Sequence, residues 1–173
     1  MNQLPRILLF TGDGKGKTTA ALGMLLRAVG HNMAACLVQF LKAAPSGELA
    51  ALERLGVTIL RAGRGFVPAR DSPALAGHRQ AAEEALRLAA EAIACERFGL
   101  VVLDEVCTAV SCGLISEEQV LELLRAVPGG GVVALTGRGA TEGLLAVADT
   151  VTQMQCVRHG YEKGIAAQKG VEL

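Results

Sequence analysis

The stretch Phe10-Thr11-Gly12-Asp13-Gly14-Lys15-Gly16-Lys17-Thr18-Thr19 decides the fold. It is one residue shorter than the Walker A pattern, because only three residues separate Gly12 from Gly16, and Thr11 stands where the first Gly belongs. The apolar residues 7–10 before it predict a strand, and a helical pattern follows directly. The order strand, glycine-rich loop, helix favours a phosphate loop over the alternative, a glycine turn that only caps a helix.

The glycines of this loop predict a site for a polyphosphate. They let successive backbone N–H groups turn toward one anion, and the following helix adds its positive N-terminal end. Lys17 is suited to neutralise phosphate oxygens, and the Thr18 hydroxyl is suited to bind Mg²⁺. The predicted nucleotide-binding residues of the loop are Gly12, Asp13, Gly14, Lys15, Gly16, Lys17, Thr18 and Thr19.

Composition bounds the class of protein. A chain of 173 residues with 51% hydrophobic content predicts one domain over residues 1–173 with a substantial core. Seventeen basic residues balance seventeen acidic ones, so no global field attracts nucleic acid or anionic lipid. No apolar run approaches the length of a membrane span, and residues 1–6 lack the apolar stretch of a secretory signal. We therefore expect a cytoplasmic protein without nucleic-acid or membrane partners.

The five cysteines are odd in number and contain no C-x-x-C pair. This argues against a disulfide framework and a zinc site and favours buried thiols. Cys107 and Cys112 follow a predicted strand that leads into the expected cleft, so a functional thiol there is the alternative. The three histidines are too scattered to indicate a metal cluster.

Short apolar runs alternate with helical patterns along the chain. Runs without polar alternation indicate strands buried on both faces, so we predict a single-domain α/β fold of the P-loop NTPase type, a mostly parallel sheet flanked by helices on both faces. The predicted strands are 7–10, 34–40, 57–60, 100–103, 132–135 and 150–154. The predicted helices are 16–29 with Gly30 as C-cap, a long helix opened by Ser72-Pro73, and one through Arg125 opened by a Ser116/Gln119 capping box.

Ligands of open parallel sheets gather at the carboxyl ends of the strands. Asp104 and Glu105 follow the fourth predicted strand in the manner of a Walker B motif, which predicts Mg²⁺ binding by Thr18, Glu105 and Asp104. A carboxylate that only caps the next helix is the alternative. Lys17 and Glu105 are the predicted catalytic residues. Arg138, between two glycines after the fifth predicted strand, is either a ligand-binding residue or a surface residue in a turn.

The segment 61–71 after the third predicted strand is rich in glycine and carries Phe66 in its middle. A loop of this kind beside a nucleotide cleft can act as a lid or as a wall against a flat apolar ligand. Phe66 is accordingly a candidate binding residue. Packing of Phe66 on the domain is an equal alternative.

Taken together, these motifs resemble the P-loop-type corrinoid adenosyltransferases, in order and over nearly the whole chain. The short phosphate loop and the terminal Gly-x-x-Ala-x-x-Gly-x-Glu stretch are far more specific than a generic nucleotide motif. The matching pieces are 11–21, Val38-Gln39-Phe40 with Lys42, 63–66, 101–105, Thr136-Gly137-Arg138, 148–152, Arg158-His159, Gly164-Ile165 and Gln168-Lys169-Gly170-Val171-Glu172.

The resemblance implies transfer of the 5′-deoxyadenosyl group of ATP to Co(I) of a corrinoid, either cobalamin or cobyrinic acid a,c-diamide, with release of triphosphate. It also implies that the triphosphate lies reversed relative to ordinary P-loop enzymes, which leaves the ribose C5′ open to attack. Lys15, Lys17 and Mg²⁺ would then stabilise charge on the leaving triphosphate. The further implied partners are a second copy in a homodimer and an electron donor, a flavoprotein or another reductant.

One departure from the family concerns Phe66. Relatives place a Trp two residues further on, where this chain has Pro68, and the chain contains no Trp. In such relatives the aromatic pair displaces the lower ligand of the corrinoid. The rival functions are a P-loop ATPase or kinase that performs ordinary phosphoryl transfer, and a carrier that binds nucleotide or corrinoid without turnover.

Overall fold

The structure is a computed structural model that describes residues 4–44 and 46–171, so Glu172 of the terminal motif lies outside the described residues. Within those ranges no helix is long and apolar enough to cross a bilayer. The elements in chain order are β1 (Arg6–Thr11), α1 (Lys17–Gly30), β2 (Ala35–Gln39), α2 (Gly47–Arg54), β3 (Thr58–Arg61), α3 (Leu75–Ala94), β4 (Leu100–Asp104), α4 (Val106–Ser111), α5 (Glu117–Arg125), β5 (Val132–Thr136), α6 (Glu142–Val147), β6 (Thr150–Gln153) and a 3₁₀ turn (Gly160–Lys163).

The six strands form one sheet in the order β3-β2-β4-β5-β1-β6, and every pairing in it is parallel. This confirms the predicted α/β fold. The register sets Gln39 opposite Asp104 and Phe10 opposite Thr136. Because parallel strands end at the same edge, the residues that follow β1, β2, β4 and β5 meet there.

The core lies in two layers, one on each face of the sheet. Alternate residues of β4 belong to different layers: Val101 and Leu103 pack with α3, α4, α5 and α6, whereas Leu100 and Val102 pack with α1 and α2. A strand with both faces covered needs apolar residues throughout, which is why these runs lack polar alternation. The prediction of helices on both faces is confirmed.

The edge strand β6 differs from the prediction of burial on both faces. All four of its residues are exposed, and Val151 retains 43% of its accessible surface. Among the described strands it pairs only with β1, which leaves its other edge open. The apolar pattern therefore identified the strand but not its burial.

Two of the predicted helix boundaries need correction. Gly30 is the last residue of α1 and lacks the left-handed conformation of a C-cap glycine; Asn32, with φ of 58°, adopts it instead. Helix α3 begins at Leu75 rather than at Ser72-Pro73. The Ser72 carbonyl accepts the Leu75 N–H at 3.0 Å, so Ser72 closes a turn that leads into the helix.

The capping box of α5 is confirmed. The Ser116 hydroxyl accepts the Gln119 N–H at 3.2 Å, and the Ser116 N–H donates to the Gln119 side chain at 2.8 Å. Two otherwise unpaired backbone donors of the first turn are thereby satisfied. Helix α3 has one buried face, which includes Ala82, Ala89 and Ile93.

The loop after β3 lies directly on the connection that follows β2. A Cβ atom on Gly63 would overlap the Leu41 backbone, and the Gly65 N–H donates to the Leu41 carbonyl at 2.6 Å. The absence of a side chain at Gly63 lets the two segments touch. The placement of the following residues, Phe66 included, depends on this contact.

We predict that Gly63→Ala lowers the free energy of unfolding by about 1–3 kcal/mol, the usual cost of inserting a methyl group without room. Gly23→Ala is the matched control, because Gly23 is exposed within α1 and a Cβ there meets nothing within 4 Å. It should raise stability by roughly 0.5–1 kcal/mol. Urea unfolding of both variants measures the difference, and a Gly63→Ala protein as stable as the parent would contradict the close contact.

Candidate active site

The phosphate loop rests against the main chain that follows β6. The Gly14 N–H donates to the Met154 carbonyl at 2.8 Å, and the Met154 N–H donates to the Thr11 carbonyl at 2.8 Å. A Cβ on Gly14 would lie 2.8 Å from the Gln155 carbonyl, and one on Gly12, whose φ is 96°, would overlap Met154. Glycine is therefore required at both positions by this backbone contact, in addition to any need to approach a ligand.

Lys17 is buried at the first turn of α1 and points back into the loop. Its Nζ donates to the carbonyls of Gly12 and Gly14, each at 2.7 Å. Burial, aided by the nearby Arg138 cation, lowers the pKa of Lys17 from 10.5. A bound anion would raise the pKa of Lys17 again, because a negative charge nearby stabilises the ammonium form.

The Asp104 carboxylate at the end of β4 is 1% exposed and fully engaged by hydrogen-bond donors. Its Oδ1 accepts the hydroxyls of Thr18 at 2.8 Å and Thr136 at 2.9 Å, and its Oδ2 accepts the Gln39 amide at 3.1 Å. Asp104 thereby joins β2, β5 and the start of α1 to β4.

Glu105 occupies the N-cap position of α4, but its side chain does not cap the helix. Its φ is 65°, its N–H donates to the Thr136 hydroxyl at 2.9 Å, and its Oε2 accepts the Thr108 hydroxyl. The alternative of a capping carboxylate is therefore wrong for Glu105. The Glu105 side chain is half-buried, and its backbone is in the left-handed region.

Arg138 reaches the phosphate loop from the connection between β5 and α6. Its guanidinium lies 3.5 Å from the Asp13 carbonyl oxygen. Its backbone N–H donates to the Thr108 hydroxyl at 2.9 Å. The side chain is exposed, as expected for a residue in a turn. It nevertheless lies beside the loop, so an anion there would meet its positive charge.

The donor set at this edge fits a magnesium ion. Thr18 and Glu105 offer a hydroxyl and a carboxylate oxygen, which are the hard ligands that Mg²⁺ takes together with substrate phosphates. Because the Thr18 hydroxyl donates its proton to Asp104, its lone pairs remain available. No group of three or more His, Cys, Asp or Glu side chains suited to a metal occurs in residues 4–44 and 46–171.

A cavity of about 440 Å³ opens between the phosphate loop and the segment after β6. Its volume lies in the range of small-molecule sites. Lys15 borders it from the loop, so a cation faces this space. The opposite wall includes Gln155, Arg158, His159, Tyr161 and Ile165.

Phe66 and Cys107 resolve two alternatives that the sequence left open, whereas Cys95 and Cys156 are exposed, so the expectation of buried thiols is wrong for those two. Phe66 is 95% exposed, so packing on the domain is wrong for this residue. Cys107 is buried, and burial raises the pKa of its thiol to about 12. The thiol is thus held neutral at physiological pH, which argues against a functional thiolate at Cys107.

Sequence reasoning missed two parts of the site. Thr108, which bonds both Glu105 and Arg138, was not singled out, although its spacing of three residues from Glu105 on a helical segment is a contact spacing. The main chain at Met154, which supports the loop, gave no signal because backbone contacts do not depend on the side chain.

Comparisons with known proteins show which family the sequence matches. The family model described as ATP:corrinoid adenosyltransferase BtuR/CobO/CobP matches residues 3–173. A corrinoid adenosyltransferase of Pseudomonas aeruginosa is 41% identical over 170 residues, spanning 96% of this chain and 83% of that protein. The corrinoid adenosyltransferase CobA of Salmonella typhimurium is 37% identical over 169 residues, and that of Escherichia coli K12 is 36% identical over 167; each alignment spans 96% of this chain and 84% of the relative.

The family model spans almost every residue of the chain, and the relatives align over most of their own length. The chain belongs to the ATP:corrinoid adenosyltransferase family.

Proposed function

We propose that this protein transfers the 5′-deoxyadenosyl group of ATP to Co(I) of a corrinoid, cobalamin or cobyrinic acid a,c-diamide, and releases triphosphate. The observation that carries the proposal is the shortened phosphate loop, in which Lys17 and Thr18 are held toward one anion site by loop carbonyls and by Asp104. Family membership favours adenosyl transfer over ordinary phosphoryl transfer.

The proposed reaction is a displacement at the ribose C5′. Co(I) attacks C5′ with an electron pair, the cobalt–carbon bond forms, and the bond from C5′ to the triphosphate oxygen breaks. Triphosphate leaves with that bonding pair, and cobalt becomes formally Co(III). The nucleophile carries no proton, so the step needs no general base.

The protein's main task is then to stabilise negative charge on the departing triphosphate. Lys17, Lys15, Arg138 and the N-terminal end of α1 surround the loop and suit that task. Bound Mg²⁺ would supply further neutralisation of the phosphate oxygens. Thr18 and Glu105 are the residues we propose to hold it. Asp104 acts one step away, because its oxygens are engaged by Thr18, Thr136 and Gln39.

Phe66 is proposed to contact the corrinoid. Its exposed ring stands on a loop anchored to the carboxyl edge of the sheet through Gly65 and Leu41. An aromatic ring without packing partners is suited to lie on a flat apolar ligand. In this role Phe66, without the neighbouring Trp of relatives, crowds out the lower ligand of cobalt.

We also propose the setting in which the enzyme works. Residues 1–173 form one catalytic domain that acts in the cytoplasm, where the five cysteines would stay reduced. A flavoprotein or another reductant supplies the electron that converts Co(II) to Co(I). The enzyme works as a homodimer, and the open edge of β6 offers a surface on which a second copy could pair.

The experiment that tests the function supplies Mg²⁺, ATP and chemically reduced corrinoid without oxygen. We predict a light-sensitive adenosyl-corrinoid and one unbroken triphosphate per product, because the bond cleaved is at C5′. Absorbance follows the corrinoid, and chromatography identifies the phosphate product. Orthophosphate or ADP without a cobalt–carbon product would support the ATPase or kinase, and ATP binding without turnover would support the carrier.

Lys17→Ala and Glu105→Ala should each lower kcat on the order of 10²–10³, the usual loss for one strong electrostatic contact to a transition state. Glu105 is half-buried, so the thermal melt of Glu105→Ala should change little, whereas Lys17→Ala also removes the hydrogen bonds to the Gly12 and Gly14 carbonyls and should lower stability by about 1–3 kcal/mol without loss of the fold. Arg27→Ala at the far end of α1 and Glu122→Ala on the exposed side of α5 are matched charge-removal controls that should keep the parent rate. Near-normal turnover in Lys17→Ala would show that the loop is not used in this way.

Phe66→Ala should slow the reaction that starts from Co(II) with a mild protein reductant, while sparing the reaction of corrinoid already reduced to Co(I). Because the ring is 95% exposed, its removal should change the unfolding free energy by no more than about 0.5 kcal/mol. Both rates are measured beside a thermal melt. Equal losses in the two assays would refute a role in displacing the lower ligand.

A further inference from the structure

The Thr108 hydroxyl stands between two parts of the site. It accepts the Arg138 N–H at 2.9 Å and donates to Oε2 of Glu105. A hydroxyl has one proton to donate, and the geometry commits that proton to Glu105. The Thr108 side chain thus links the loop after β5 to the Glu105 carboxylate after β4.

This arrangement is held by a close backbone contact. Gly137, with φ of 140°, lies so near α4 that a Cβ there would be 2.6 Å from the Thr108 nitrogen and 2.8 Å from its hydroxyl oxygen. No side chain fits at Gly137 without displacing Thr108. The contact therefore sets the distance at which the Arg138 N–H meets the hydroxyl.

Glu105 needs such support because its side chain is long and only half-buried. Its backbone is fixed by the Thr136 hydroxyl at 2.9 Å, but that bond leaves the side-chain torsions free. The Thr108 hydroxyl engages Oε2 and so restricts the carboxylate, which leaves Oε1 to bind another group. Outer hydrogen-bond partners of this kind orient the ligands of metal sites.

We propose that Thr108 is a positioning residue, whose hydroxyl orients the Glu105 carboxylate toward the metal ion of bound ATP and ties it to the Arg138 connection. The inference rests on the proposed function through the metal-binding role of Glu105. In this role Thr108 itself contacts neither the substrate nor the metal ion. Its effect should therefore appear in metal affinity.

The test replaces the hydroxyl while keeping the shape of the side chain. Thr108→Val should weaken Mn²⁺ binding to the ATP-loaded protein, without corrinoid, by about 10–100-fold, as for other outer-shell partners. Thr108→Ser keeps the hydroxyl and should restore most of that affinity. Free Mn²⁺ is measured by electron paramagnetic resonance, and turnover of Co(I)-corrinoid should fall in parallel for Thr108→Val but not for Thr108→Ser.

Ser111→Ala is the matched control on α4, because the Ser111 hydroxyl donates only to the Thr108 carbonyl, at 3.1 Å, and should leave Mn²⁺ affinity unchanged. Thr108→Ala is measured as well, so that misfolding of the valine variant would still leave a hydroxyl-free protein to test. Thermal melts identify any loss of fold. Equal impairment of Thr108→Ser and Thr108→Val would overturn the inference, because the hydroxyl would then be irrelevant.

Glu105→Gln separates this inference from the proposed function. If Glu105→Gln loses Mn²⁺ affinity and Thr108→Val does not, the positioning role is wrong and the metal role of Glu105 stands. Normal affinity in Glu105→Gln would remove the metal role itself. If both roles hold, the double variant should be little weaker than Glu105→Gln alone, since coupled residues are not additive.

Discussion

The site depends on the Asp104 carboxylate and the three donors that meet it. Gln39, Thr136 and Thr18 come from β2, β5 and the first turn of α1, and none of them is near another in sequence. The carboxylate is buried, so loss of any one donor would leave part of its charge unpaired in a medium that solvates it poorly. This interaction orders the strand ends and also orients the Thr18 hydroxyl.

Close backbone contacts form the second constraint. Gly14 lies on the main chain after β6, Gly63 lies on Leu41, and Gly137 lies on Thr108. At each contact the missing Cβ lets a loop approach another segment more closely than any other residue would allow. These glycines therefore act through geometry, because they let the loops of the site lie against neighbouring segments.

Much of this arrangement could be predicted from the sequence because it depends on local patterns. The apolar runs predicted each of the six strands that the described residues form. The spacing of Gly12, Lys17 and Thr18 predicted a glycine-rich loop between a strand and a helix, and the structure has that loop between β1 and α1. What the sequence did not predict depends on contacts with distant parts of the chain. The exposure of β6 follows from its position at the edge of the sheet. The left-handed residue after α1 is Asn32 rather than Gly30. Thr108 was missed for the same reason, since its second partner is 30 residues away.

The charges around the loop explain why a short loop suits adenosyl transfer. Burial and the neighbouring Arg138 make the charged form of Lys17 costly without an anion, which is the reason for its lowered pKa. In phosphoryl transfer the charge to be stabilised is spread over the oxygens of the transferred phosphoryl group. A departing triphosphate instead keeps its phosphates in place and gains charge on the oxygen that leaves C5′. Lys17 and Arg138, held by the Gly12, Gly14 and Asp13 carbonyls, would match that stationary charge in the proposed reaction.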